Sequence, residues 1–161
     1  PKVVEQVTKA VRKVTDKPVI VKLSPNVTDI VEIAKAVEAG GGDGVSLINT
    51  ILGMAIDIHR RKPVLGNIYG GLSGPAVKPV ALRMVHQVYK GVNIPIMGLG
   101  GIMTGTDAIE FMMAGAQAVQ VGVATMVDPT AISRIAREMG DYVEQYNLNN
   151  ITDIVGAVHQ G

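Results

Sequence analysis

The chain has 161 residues, 47% of them hydrophobic and 18% charged, and its formal net charge of +1 at pH 7 gives no indication of a nucleic-acid or anionic-membrane partner. It has no cysteine, so disulfides, zinc fingers and iron–sulfur ligation are excluded within it. The apolar runs are strand-sized, far short of the roughly 18 residues that span a bilayer, and no signal peptide is visible, so we expect a cytoplasmic protein without a membrane anchor.

The first elements in chain order are a helix, a strand and a second helix. The first helix is predicted because valines recur at helical spacing: Val3, Val4, Val7, Val11 and Val14. The strand at residues 18–23 is an apolar run broken only by Lys22, which is typical of a strand buried on both faces. In the helix over residues 29–39, Asp29 and Glu32 resemble a capping box, and three glycines follow its end.

A second strand is predicted at residues 44–48 and ends at Asn49 and Thr50. The pattern then fails over residues 51–75, and a loop this long inside a compact domain is usually functional or disordered. We expect its middle to form a short hairpin over the mouth of the fold. The next helix, over residues 76–89, has an apolar inner face: Val77, Val80, Ala81, Met84, Val85 and Val88.

The remaining sequence predicts strands at residues 94–97 and 118–121, a helix over 106–114 between them, and two or three helices over 128–161. Four apolar strands thus alternate with helical stretches. This alternation favours βα units around a parallel sheet, an α/β fold.

Glycines end the last two strands and predict a phosphate site. The run 98–101 contains three glycines, and Gly122 follows the next strand. Glycine lets backbone N–H groups approach a phosphate closely, and barrel enzymes often bind phosphate with the loops after strands 7 and 8. The helix that begins near Thr106 is expected to add its N-terminal dipole. The alternative is that these glycines only form turns.

Three polar side chains at strand ends are candidates for ligand contacts. Lys22 lies in an apolar strand, where an ammonium is costly to bury unless it meets an anion or a flavin-like acceptor. Asn49 and Thr50 can hydrogen-bond a planar, amide-bearing ligand at the same edge. The alternatives are a lysine whose ammonium reaches solvent at the strand end and a turn-forming Asn-Thr pair.

The other polar residues favour simpler interpretations. His86 is predicted to be a solvent or interface residue on its helix, and His59 to belong to the solvated charge run that includes residues 60–62. That basic run is a candidate for a partner contact. No part of the sequence has the spacing of metal ligands.

Length indicates a fragment. A complete (β/α)8 barrel typically needs about 250 residues, and the chain has 161 and begins at Pro1 without an initiator methionine. Four strands are half of the eight in such a barrel. We therefore expect the second half of a longer protein.

Several separated runs resemble, in order and spacing, the C-terminal half of the dihydroorotate dehydrogenase family, and most closely its bacterial class 1B catalytic subunits. These runs are KLSPNVTDIVEIAKAVEAGG, VSLINT, GGLSGPAVKPVALRMVHQVY, IPIMGLGGI and AVQVGVATMVDP. The resemblance implies that residues 1–161 are the C-terminal half of an FMN-binding (β/α)8 TIM barrel, with four parallel strands and helices. It also implies an enzyme that oxidises dihydroorotate to orotate in pyrimidine biosynthesis.

The resemblance assigns roles to nine positions of this sequence. Some match residues that contact the flavin, some match the pair that contacts the orotate ring, and some match the FMN phosphate site. The flavin positions are Lys22, Ile48 and Gly74, the orotate positions are Asn49 and Thr50, and the phosphate positions are Gly100, Gly101, Gly122 and Val123.

The resemblance also identifies parts that the chain lacks. In class 1 enzymes a cysteine on an upstream loop removes a proton from the substrate while a hydride leaves for the flavin, and this chain has no cysteine. We therefore expect the 161 residues alone to be inactive. Class 1B further implies a partner subunit with FAD and a 2Fe–2S cluster, NAD as the final acceptor, and paired catalytic chains in a heterotetramer.

Two alternatives remain open. One is a related FMN barrel, such as dihydrouridine synthase or the pyrimidine-reducing domain of dihydropyrimidine dehydrogenase. A tRNA enzyme would favour a strongly basic surface, which a net charge of +1 does not provide. The other is a non-catalytic half-barrel that buries its open sheet edges against a second copy.

Overall fold

A computed structural model describes residues 1–159, in which helices and strands alternate. The elements in chain order are α1 (Lys2–Arg12), β1 (Ile20–Leu23), α2 (Ile30–Ala39), β2 (Gly44–Leu47), β3 (Ile51–Met54), β4 (Ile56–Asp57), β5 (Lys62–Pro63), β6 (Tyr69–Leu72), α3 (Lys78–Tyr89), β7 (Ile96–Leu99), α4 (Gly105–Met113), β8 (Ala118–Gln120), α5 (Val123–Val127) and α6 (Ala131–Gln145). Short 3₁₀ turns occupy Pro75–Val77, Ile151–Ile154 and Ala157–His159. No helix within residues 1–159 is long and apolar enough to cross a membrane.

The centre of the fold is a four-stranded parallel sheet in the order β1-β2-β7-β8. The predicted α/β class and the four parallel strands are confirmed, although β7 begins two residues later than expected. Because side chains alternate between the two faces of a strand, one face carries a row of apolar residues that packs on the helices. That buried row includes Leu23, Val45, Leu47 and Ile96.

The expectation that the first strand is buried on both faces is wrong. Ile20 is 49% exposed and Lys22 is also exposed. β1 lies at the edge of the sheet, and the helices cover only the face that carries Leu23. We call the other side the open face of the sheet, and on β8 its exposed residues are Ala118 and Gln120.

The helix predicted from the valines at the start of the chain is confirmed as α1, although Val14 lies beyond its end and most of the valine stripe does not pack into the core. Val3 is 70% exposed, Val7 57% and Val11 42%. Val4 is the member that packs against the core, and the buried Thr8 donates to its carbonyl oxygen at 2.8 Å. α1 therefore presents an apolar face beside the exposed edge of β1.

The segment without a clear pattern forms two short antiparallel pairs. β3 pairs with β6, so that Ile51 lies opposite Leu72, and β4 pairs with β5 within the loop that connects them. The expected hairpin is therefore confirmed, and it is larger than expected because glycines of β6 belong to a strand rather than to the approach to α3. It rises from the end of β2, at the carboxyl edge of the sheet.

Some helices differ from those predicted from the sequence, in their capping or in their extent. Asp29 accepts hydrogen bonds from the amides of Val31 and Glu32, but the side chain of Glu32 pairs with Lys35 at 3.0 Å instead of completing a capping box. The short helix α5 was not predicted. The final predicted helices correspond to α6 and two 3₁₀ turns, and positions 160 and 161 of that stretch lie outside the described residues.

Replacement of Asp29 by Ala should lower the free energy of unfolding by about 1 kcal/mol, because two amides at the start of α2 lose their acceptor. Urea denaturation followed by circular dichroism measures this loss. Asp29→Asn is the matched control, since an Asn side chain keeps the accepting oxygen. An equal loss in both variants would show that charge, and not the cap, accounts for the effect.

Candidate functional site

A cleft of about 300 Å³ lies at the carboxyl edge of the parallel sheet. Its walls come from the ends of all four parallel strands and from the turn that precedes α3. All nine residues singled out by the sequence line it: Lys22, Ile48, Asn49, Thr50, Gly74, Gly100, Gly101, Gly122 and Val123. The sequence did not single out the other seven, which are Leu72, Ser73, Val77, Leu99, Ile102, Gln120 and Met126.

The strand register explains why residues so distant in sequence meet here. Leu23 lies opposite Leu47, Leu47 opposite Gly98, and Leu99 opposite Gln120. Parallel strands in this register end at one common edge, so the loop that follows each strand emerges beside its neighbours. Ligands of open α/β sheets and of barrels bind at this carboxyl edge.

The loop after β2 is fixed by backbone hydrogen bonds to both neighbouring strands. The amide of Ile48 donates to the carbonyl of Leu99 at 2.8 Å, and the amide of Asn49 donates to the carbonyl of Leu23 at 2.9 Å. The side-chain oxygen of Asn49 accepts from the amide of Thr50 at 3.0 Å. The Asn-Thr pair is thus part of a turn and lines the cleft as well, so the two interpretations of the pair are compatible.

The donors of the Asn49 side-chain amide are available for a ligand. Within residues 1–159 no protein atom accepts a hydrogen bond from them. The side-chain oxygen is already engaged and holds the amide plane in place. Asn49 can therefore donate to a carbonyl oxygen of a planar ligand in the cleft.

Asn26 is a residue of the site region that sequence reasoning missed. Its side-chain nitrogen donates to the carbonyl of Thr50 at 3.0 Å, and its side-chain oxygen accepts from the amide of Leu52 at 2.9 Å. It therefore fastens the loop after β1 to the base of the β3–β6 pair. The available signal is an amide side chain directly after Ser24 and Pro25, at the end of the first strand.

Lys22 is the one charged residue among those that line the cleft. It lies opposite Ser46 in the sheet register, one residue before the end of β1. Its side chain is exposed on the open face rather than buried among core residues, so its ammonium remains hydrated in this structure. A cleft whose single charge is positive favours an anionic or electron-rich ligand.

Glycine occurs at the cleft for two different structural reasons. Gly100 and Gly101 have φ angles of +131° and +78°, and a Cβ on Gly101 would lie 2.8 Å from the carbonyl oxygen of Gly74. The turn and the close packing on α3 therefore require glycine at both positions. A Cβ on Gly122 would meet nothing within 4 Å. Packing does not require glycine there, so its small size leaves open space at the cleft.

The expected contribution of the helix after β7 to the phosphate site is not supported. Asp107 accepts from the amides of Met103 and Thr104 at 2.9 Å, and Thr104 completes a capping box with it. Glu138 accepts from the amide of Gly105. The amide of Gly105 and, through Thr104, that of Asp107 are therefore engaged within the protein. α5 begins at the cleft instead, because Gly122 is its N-cap residue and has no side-chain cap.

Lys78, on the neighbouring helix α3, forms ion pairs with acidic side chains of α4. Lys78 pairs with Asp107 at 2.6 Å and with Glu110 at 2.8 Å, and these hydrogen bonds raise the pKa of Lys78 above its usual value. Burial favours a higher pKa for Asp107, but hydrogen bonds from Lys78 and from the amides of Met103 and Thr104 outweigh it and lower the pKa. Both groups are therefore charged at neutral pH.

The histidines lie away from the cleft. His59 is exposed in the β4–β5 turn, as expected. His86 is partly exposed on α3, and its ring stacks on His159 with centroids 4.1 Å apart, while His159 stacks in turn on Tyr89. Burial and the nearby His159 lower the pKa of His86.

Across the described part of the chain, no three His, Cys, Asp or Glu side chains group as they would around a metal ion.

Comparison with known proteins places the chain near one family. A family model described as dihydroorotate dehydrogenase matches residues 1–143. The catalytic subunit of dihydroorotate dehydrogenase B (NAD(+)) from Alkaliphilus oremlandii is 62% identical over 158 residues, which cover 98% of this chain and 52% of that protein. The subunit of the same name from Desulforamulus reducens is 63% identical over 154 residues, or 96% of this chain and 51% of that protein. The chain thus spans about half the length of the curated relatives it matches.

Replacement of Asp107 by Asn should lower the free energy of unfolding at pH 7 by roughly 1–3 kcal/mol, because Lys78 and two amides lose a charged acceptor. A carboxylate with a lowered pKa stabilises the fold above its unfolded pKa, near 4, and this stabilisation is lost as the pH falls through the lowered folded value. The difference between wild type and variant should therefore shrink toward pH 3, as measured by urea denaturation. Asp141→Asn, at an exposed position, is the control. A difference that stays constant from pH 7 to pH 3 would contradict this linkage.

Proposed function

Since the chain belongs to the dihydroorotate dehydrogenase family, we propose that it is part of an enzyme that uses FMN to oxidise dihydroorotate to orotate in pyrimidine biosynthesis. One observation carries the proposal: nine residues matched to flavin, phosphate and orotate positions, far apart in sequence, all line a single cleft. That cleft lies at the edge of the sheet where barrel enzymes carry out their chemistry.

We propose that residues 1–161 are the C-terminal half of an FMN-binding TIM-barrel domain. Parallel sheets are normally covered on both faces, whereas the open face here leaves Ile20 and Gln120 exposed. β1 and β8 are also unpaired edges within the described residues. Four further strands from the longer protein would pair with both edges and enclose the open face.

The residues of the cleft fit an FMN molecule. Gly100, Gly101, Gly122 and Val123 present backbone amides without an acidic side chain nearby, which suits a phosphate dianion. These residues come from the loops after the last two strands and from the first turn of a short helix, as in many barrel phosphate sites. Lys22 supplies positive charge to the same cleft, and Ile48 and Gly74 contribute backbone at its wall.

When bound, FMN supplies the ring that accepts a hydride from the substrate. The chain's own residues bind the substrate and the flavin and orient them. The amide of Asn49 and the hydroxyl of Thr50 donate to the polar edge of the pyrimidine. Lys22 provides a positive charge that stabilises electron density on the flavin ring. Apolar residues such as Leu72 and Met126 limit the access of water. The base that removes the substrate proton is expected upstream, because this chain contains no cysteine.

We further propose that the complete protein acts with partners. The relatives' names specify a catalytic subunit and NAD(+), which supports an NAD-linked enzyme with a partner subunit. From the class 1B resemblance we propose that this partner transfers electrons and carries FAD and a 2Fe–2S cluster. We expect the catalytic chains to pair as a homodimer within a heterotetramer. The β3–β6 pair offers exposed apolar side chains for subunit contacts, including Leu52, Met54 and Tyr69.

The decisive experiment uses the full-length protein that contains this chain. The purified protein should show flavin absorption bands that shift on addition of orotate, and it should oxidise dihydroorotate. A full-length protein without flavin, or with flavin that does not respond to orotate, would overturn the proposed function. The piece of 161 residues alone is expected to be inactive, and it also tests whether a half-barrel dimerises through its open edges.

Asn49→Ala should weaken orotate binding by roughly 1–3 kcal/mol, because a buried ligand oxygen would lose its donor, and FMN content should stay unchanged. Lys22→Ala should instead reduce FMN retention and slow the reduction of the flavin by dihydroorotate. Orotate titration and stopped-flow absorbance measure the two effects. Asn93→Ala and Lys13→Ala are controls at exposed positions outside the cleft. Wild-type orotate affinity in Asn49→Ala would remove Asn49 from the site.

Gly122→Ala separates a role in packing from a role in phosphate binding. The new Cβ would meet no protein atom within 4 Å, so the melting temperature of the apoprotein should change little. If a phosphate occupies the space, the methyl group should lower FMN affinity by about tenfold or more. Gly140→Ala on α6, which also has open space at its Cβ, is the control. Unchanged FMN affinity in Gly122→Ala would place the phosphate elsewhere.

A further inference from the structure

The two glycine loops of the cleft are residues 98–101 and 122–123, and the segments that follow them both contact one side chain, that of Arg134 on α6. Its guanidinium donates to the carbonyl of Met103 at 3.2 Å, two residues after Gly101. Its Nε lies 3.6 Å from a carboxylate oxygen of Asp128, which caps the C-terminus of α5. Arg134 therefore contacts both segments, and it is not among the residues that line the cleft.

The segment after the first glycine loop is held from two sides. The amide of Met103 donates to Asp107, and its carbonyl accepts from Arg134. Arg134 also donates to Glu138 at 3.1 Å, and the other carboxylate oxygen of Glu138 accepts from the amide of Gly105. The hydrogen bond from Gly105 and the pairing with Arg134 lower the pKa of Glu138, so this carboxylate is charged at neutral pH.

The second loop is tied to the same guanidinium through α5. Gly122 and Val123 begin this helix, and Asp128 ends it within two turns. Asp128 also accepts from the amide and the hydroxyl of Thr130, at 2.9 and 2.7 Å, which fixes its carboxylate against the start of α6. Arg134 thus links α5 to Met103, in addition to the packing of α4 and α5 on α6.

The chemistry of these contacts requires arginine. A guanidinium is planar and presents five N–H donors in a rigid fork, so it can serve a carbonyl and two carboxylates in different directions. A lysine ammonium is a compact charge on a flexible stem and does not reproduce that fixed arrangement. The glycines of the two loops have no side chains that could hold the loops in position.

We propose that Arg134 is a positioning residue that sets the separation of the two glycine loops, and thereby the affinity of the cleft for the phosphate of a flavin nucleotide. This inference rests on the proposed function. Without the guanidinium, each loop keeps its own turn, but the spacing between their amides is no longer fixed. Contacts to the flavin ring are made by other residues, Lys22 and Ile48, and do not depend on Arg134.

The test compares FMN with riboflavin, which has the same ring and no phosphate, in the full-length apoprotein. The variants are Arg134→Met and Arg134→Lys, and the matched control is Arg137→Met, an exposed arginine on the same helix. Fluorescence titration gives the dissociation constant of each flavin, and thermal denaturation of the apoprotein reports overall stability. Arg134→Met should raise the dissociation constant for FMN roughly tenfold and leave that for riboflavin unchanged. Arg134→Lys should give the same selective loss with the charge retained.

Each outcome decides the inference. A loss of FMN affinity without a loss of riboflavin affinity, absent from Arg137→Met, supports it. Equal losses for both flavins, or wild-type affinities for both, overturn it, because a general structural role does not distinguish the two ligands. If Arg134→Met does not fold, the same comparison of the FMN and riboflavin dissociation constants in Arg134→Lys decides the inference. A wild-type protein that binds neither flavin overturns the proposed function and this inference with it, whereas normal FMN binding with unaffected variants overturns only the inference.

Discussion

The register of the parallel sheet is the constraint on which the rest of the structure depends. Because β1, β2, β7 and β8 run in the same direction and are aligned residue for residue, their carboxyl ends form one edge. Every loop that leaves this edge lies beside the next, so residues distant in sequence meet in one cleft. A shift of one residue in any strand would turn its side chains to the opposite face and would remove the loop from its neighbours. The buried row on the helix-covered face, from Leu23 to Ile96, fixes that register energetically.

Polar and apolar residues are separated along the open face of the sheet. Ile20, opposite Gly44, lies toward the amino end, and Lys22 and Gln120 lie toward the carboxyl edge, beside the cleft. This distribution is what the interior of a barrel requires, since the lower part is filled by packed side chains and the upper part serves a ligand. It also explains why an isolated four-stranded sheet leaves both kinds of residue exposed. The apolar valines of α1 extend the same exposed region around the edge of β1.

Much of this architecture could be predicted from the sequence, because its signals are local. Apolar runs gave the four parallel strands, glycines marked the loops, and Asp29 marked the start of α2 to the residue. What could not be predicted depends on partners distant in sequence. The exposure of Ile20 follows from its place at a sheet edge, and the stacking of His86 follows from a histidine 73 residues later, His159. The grouping of nine site residues was expected from family resemblance, whereas the hydrogen bonds of Asn26 to Thr50 and Leu52 had no such guide.

Residues outside the cleft help to hold the segment that follows its first glycine loop. Glycine permits the close approach and the positive φ angles at Gly100 and Gly101, but the same lack of a side chain leaves the loop without contacts of its own. A flexible loop must lose conformational entropy when it binds a ligand, and this loss reduces affinity. Here hydrogen bonds of Asp107 and Arg134 to Met103 order the segment before any ligand arrives. A glycine-rich site of this kind therefore depends on charged residues behind it, and substitutions there can alter binding without touching the ligand.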